Sequence, residues 1–113
     1  MSKWAVMCVF LSCYWVAADT PAPDSKKGSK GDVNRGRIVF EDNCEQCHYA
    51  YSKEEKVGPG LQGIKDGRLP DGKPATRDKL LDIINTGPAE MTSFKDRLTE
   101  QEKEDVVAFV MTL

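Results

Sequence analysis

A chain of 113 residues is long enough for one small domain and too short for two of ordinary size. With 16 Lys and Arg against 18 Asp and Glu and no basic cluster, it has no electrostatic footprint for nucleic acid. Its longest apolar run, Trp4 to Ala18, falls short of the ~20 residues that a membrane-spanning helix needs.

That run follows Lys3 and ends in Val16-Ala17-Ala18 ahead of Asp19, the pattern of a cleavable secretory signal peptide over residues 1–18. The chain is therefore expected to be exported, to the periplasm. Phe10-Leu11-Ser12-Cys13 is loosely similar to a bacterial lipobox, so acylation of Cys13 and retention at a membrane is the alternative. Cleavage after Ala18 removes Cys8 and Cys13 and leaves Cys44 and Cys47, so a disulfide is not expected to staple the domain. Residues 19–32, DTPAPDSKKGSKGD, hold no apolar side chain larger than Ala or Pro and read as a flexible tail or tether. The folded unit is expected over residues 33–113.

Asp32 can cap a helix running to about Asn43, with Val33, Gly36, Phe40 and Cys44 along one face. Directly after it stands Cys44-Glu45-Gln46-Cys47-His48. Two thiols three residues apart, followed by an imidazole, are what covalent haem attachment requires, since both sulfurs fall on one face of a helical turn and His48 can then ligate the iron. Structural zinc would need four ligands, and no Cys or His follows His48. A thioredoxin-like pair would need a βαβ setting, of which the sequence has no trace. One haem c is therefore the expected cofactor.

Gly and Pro dominate Val57 to Pro74, which reads as loop. Thr76 can cap a second helix with an apolar stripe of Leu80, Leu81, Ile83 and Ile84, stopped at Gly87-Pro88. Thr99-Glu100-Gln101-Glu102 is a capping box, and the helix after it carries Val106, Phe109, Val110 and Leu113 as its buried stripe. His48 is the only histidine, so a second axial ligand has to be of another type; beyond the signal segment the methionines are Met91, in the loop after the second helix, and Met111, expected in the core.

Together these residues resemble the class I cytochromes c over nearly all of residues 33–113. The spacing of Gly36 and Phe40 in the first helix, and of Val106 and Phe109 in the last, is similar to that of the family's crossing terminal helices. The resemblance implies an all-α fold, with those helices crossing beside a covalently attached haem. It also implies that the Pro59 carbonyl, in Val57-Gly58-Pro59-Gly60-Leu61, accepts the imidazole N–H of His48, and that Met91 is the second axial ligand. Thr92 departs from the proline that often follows that methionine; Phe94 matches. Tyr49, Tyr51 and Arg68 are candidates for haem or propionate contacts, and Lys53, Lys56, Lys65, Lys73, Lys79 and Lys95 for a docking rim. The expected function is periplasmic electron transfer through one His/Met-ligated haem, without enzymatic activity, between transient redox protein partners. A tethered haem subunit of a larger redox complex is the alternative, and a haem enzyme or gas binder with a displaceable sixth ligand is the third reading.

Overall fold

The computed structural model describes residues 30–113; the signal segment and most of the tail read from the sequence lie outside the described residues. Three α-helices form: α1, Val33–Asn43; α2, Arg77–Thr86; and α3, Glu100–Val110. A single 3-10 turn, Ile64–Asp66, breaks the long Gly- and Pro-rich connection between α1 and α2. Among the described residues there is no strand, only an isolated antiparallel bridge between Arg68 and Pro74.

Each helix starts where a side chain satisfies its free amides. The Asp32 carboxylate accepts from the Arg35 N–H, the Thr76 hydroxyl from Lys79, and Thr99 and Glu102 form a reciprocal capping box. At the other end, α2 closes on Gly87, whose φ of 59° only glycine adopts freely and whose N–H donates to the Ile83 carbonyl.

α1 packs across α3 at backbone distance. A Cβ built on Gly36 would lie 1.9 Å from the Asp105 carbonyl oxygen, and one on Gly31 2.0 Å from that of Glu104. Glycine at both positions is thus a requirement of the crossing. Phe40 and Phe109 meet beside it with ring centroids 5.4 Å apart and join Val106, Val107, Val110, Ile64 and Leu80 in one core.

Several expectations about side chains are corrected here. Val33 is 42% exposed, and Val39 takes its place in the core. Of the α2 stripe only Leu80 is fully buried, while Leu81, Ile83 and Ile84 stand half-buried at the core's margin. Met111, expected inside, is 40% exposed, because α3 ends at Val110 and the following turn swings Met111 out while carrying Leu113 back in. Two charged residues of α3 are buried instead. The Asp105 carboxylate accepts from the Asp32 N–H, Arg35 Nε and Gln101 Nε2, so α3 supplies a second cap for α1. Lys103 is 1% exposed and turns toward the loop that follows α2.

Candidate functional site

The CxxCH run forms a single turn prolonging α1. Cys44 caps the helix with its N–H on the Phe40 carbonyl, and the N–H groups of Cys47 and His48 both donate to the Cys44 carbonyl at 3.0 Å. Coiling of this kind brings Cys44, Cys47 and His48 together as their spacing predicts. Cys44 is partly buried against the core and Cys47 is exposed, and no disulfide joins them. Burial, with a smaller contribution from the Cys47 sulfur, pushes the Cys44 thiol up to about 11.

The loop after His48 folds back onto the turn. Gly58 donates its N–H to the Cys47 carbonyl at 2.7 Å, and the next carbonyl, that of Pro59, stands 2.9 Å from His48 Nδ1. A carbonyl oxygen only accepts, so the proton is on Nδ1 and the lone pair is left on Nε2. The loop touches the imidazole so closely that a Cβ on Gly58 would come within 2.4 Å of His48 Cε1. Lys56 ties the same loop to the attachment turn, its Nζ donating to the Glu45 carbonyl at 2.9 Å and lying over the Tyr49 ring. Gly58 and Lys56 were not singled out from sequence as supports of the imidazole, because Gly-Pro-Gly reads as a turn and a lysine as surface.

Tyr49 and Tyr51 stand beside His48 on the side of the helix crossing, where the Tyr51 ring meets Phe109 edge-on at 6.5 Å. Arg68 instead closes its own turn, donating from Nη1 to the Gly72 carbonyl.

Met91 belongs to the loop leaving α2. Its N–H donates to the Pro88 carbonyl, the Ser93 hydroxyl donates to the Asn85 carbonyl, and the Phe94 N–H donates to the Ile84 carbonyl, so the loop doubles back against the end of α2. The Met91 side chain is partly buried against the same core that Cys44 touches. No hydrogen bond among the described residues joins Met91 to the attachment turn. These residues fit a covalently held haem by their donor chemistry: two thiols for the vinyl groups, an imidazole with a free Nε2, and a soft thioether. Half-buried Leu61, Leu81, Ile83 and Ile84 pack against the same core as Cys44 and Met91 and add apolar surface. Asn85, just before the loop, contributes a buried Oδ1 that no group among the described residues satisfies.

Comparison with known proteins agrees in family and in fold. The family model for cytochrome c oxidase, cbb3-type, subunit III matches residues 31–110. The chain is 32% identical over 83 residues to the cytochrome bc1 complex cytochrome c subunit of Mycobacterium leprae, covering 73% of this chain and 27% of that one. It thus spans about a quarter of the length of such relatives. To cytochrome c6 of the alga Alaria esculenta it is 31% identical over 81 residues, 72% of this chain and 91% of the other. Among solved structures, cytochrome c6 of the diatom Phaeodactylum tricornutum superposes with a TM-score of 0.58 at 28% identity, over 73% of this chain and 93% of that one.

Proposed function

The chain belongs to the cytochrome c family and carries one covalently bound haem c, and from that premise we propose that it moves single electrons between redox partners outside the cytoplasm with His48 and Met91 as axial ligands. Electron transfer through haem is the family's chemistry; the ligand pair, the compartment and the partners are our reading.

The observation that carries this reading is the hydrogen bond from His48 Nδ1 to the Pro59 carbonyl. It holds the ring in one tautomer, aims Nε2 away from the loop, and makes the imidazole a stronger donor. Cys44 and Cys47 hold the group through thioether bonds on the turn that presents His48. The haem, when bound, accepts and returns one electron. Met91 would supply a soft sulfur as the second ligand, which favours the ferrous state and raises the potential above that of a bis-histidine site. With His48 and Met91 both holding the iron, no position would be left for a substrate, in keeping with a carrier rather than an enzyme. Rigid supports on both sides keep the ligands in place in either redox state.

A second reading, a haem subunit fixed in a larger redox complex, has the likeness to the bc1 complex cytochrome c subunits in its favour.

Visible spectroscopy tests the ligand pair. The oxidised protein is expected to show the weak long-wavelength band of methionine sulfur on ferric haem. Met91→Ala should abolish that band, lower the reduction potential and open the reduced protein to carbon monoxide, whereas Met111→Ala should do none of these. A Met91→Ala protein with the wild-type spectrum and potential overturns the assignment.

A further inference from the structure

Lys103 is an unusual residue for the second turn of a capped, acidic helix: its side chain is 1% exposed, and its ammonium is buried against the neighbouring loop. Nζ donates to two oxygens, the Lys95 backbone carbonyl at 2.8 Å and Glu100 Oε1 at 2.8 Å. Glu100 is 81% exposed, so the partner that faces inward is the carbonyl. Burying an ammonium is costly, and a methionine or leucine of similar size would fill the same space without that cost. What the ammonium adds is a directed hydrogen bond to one point of the chain.

That point is the end of the loop carrying Met91. Phe94, next to Lys95, has a buried ring and donates its N–H to the Ile84 carbonyl of α2 at 2.8 Å. The loop is therefore fixed on α2 at Phe94 and on α3 at Lys95, four residues beyond Met91. On its near side the backbone is held only by turns, those of Gly87 on Ile83 and Met91 on Pro88.

We propose that Lys103 is a positioning residue for the second axial ligand: by clamping the Lys95 carbonyl to α3 it holds the Met91 loop closed, so that an external ligand competes poorly for the iron. The proposal rests on Met91 being that ligand.

Imidazole binding to the oxidised holoprotein measures how readily the loop gives way. Lys103→Met keeps the side chain's bulk and removes both hydrogen bonds; it is expected to bind imidazole about tenfold more tightly, as loss of one charged hydrogen bond allows. Lys103→Arg, which retains donors in reach of the carbonyl, should restore near-wild-type affinity, and Glu100→Gln, which leaves the Lys95 contact in place, should change it little. Val39→Ala, a cavity in α1 that leaves the Lys103–Lys95 contact in place, lowers overall stability and is expected to leave imidazole affinity alone. Should Lys103→Met fail to fold, Lys103→Gln takes its place and must raise the affinity likewise. Unchanged affinity in folded Lys103→Met, or in Lys103→Gln where it takes its place, overturns the clamp, and so does an equal rise in Val39→Ala. If the wild-type protein itself lacks the methionine band, the Met91 reading fails and the clamp falls with it.

Discussion

Ala89 holds a φ of 55°, in the left-handed region that L side chains avoid, two residues before Met91. The turn it makes, closed by Met91 N–H on the Pro88 carbonyl, is what lets the loop reverse directly after α2. Strain of this sort costs on the order of 1–2 kcal/mol, and glycine would relieve it at a smaller entropic cost in the unfolded chain. Ala89→Gly is therefore expected to raise stability by about 0.5–1 kcal/mol, read from the denaturant midpoint at unchanged slope. A lower midpoint would mean that the backbone relaxes away from this φ. At this scale the sequence is legible where chemistry dictates it and opaque where geometry does. Cys44, Cys47 and His48 are readable because only one chemistry uses them in that order; the strain at Ala89 is not, because alanine carries no mark of a turn. The buried charges Asp105 and Lys103 are hidden for a related reason, since each takes a backbone partner outside its own helix, the Asp32 N–H and the Lys95 carbonyl.

Among the elements, the α1–α3 crossing depends most on single atoms. Gly36→Ala places a Cβ 1.9 Å from the Asp105 carbonyl, and because that carbonyl belongs to a helix it cannot rotate away. The helices must separate, which loosens the Phe40–Phe109 contact and lengthens the bonds from Asp105 to Asp32 and Arg35. We expect a loss of at least ~1–3 kcal/mol, the usual cost of overpacking, while Ile38→Ala on the exposed face of the same helix should stay within ~0.5 kcal/mol. Equal midpoints for the two variants would show that the crossing is not close-packed. Helix starts were fully legible, since Asp32, Thr76 and Thr99 cap as read. The buried faces were legible only in part: a period of 3.6 finds Gly36, Phe40, Val106 and Phe109, but it carries on past Val110, where the helix has stopped, and so misplaces Met111. Gly31 escaped notice because it stands among tail residues, although its backbone packs on α3 as tightly as that of Gly36.

For the molecule as a whole the choice is between a free carrier and a fixed subunit. The matched region makes up 91% of the Alaria cytochrome c6 and about a quarter of the bc1 subunits. Of the lysines considered for a docking rim, Lys56 is committed to the Glu45 carbonyl, Lys73 to Asp71 and Lys79 to Asp82, which leaves a mixed surface rather than one strong field. Exposed pairs of this sort contribute little to binding and are readily exchanged for a partner's groups. After cell fractionation, then, the haem-stained polypeptide is expected in the soluble exported fraction, with an intact mass that starts at Asp19, includes one haem and is unaccompanied by a stoichiometric partner. The stain should survive denaturing electrophoresis and disappear when Cys44 and Cys47 are both changed to Ser, because thioether bonds outlast unfolding and coordination bonds do not. Recovery from the membrane fraction as a species acylated at Cys13, or tightly bound to a second redox protein, would reverse the choice and make residues 19–32 a tether.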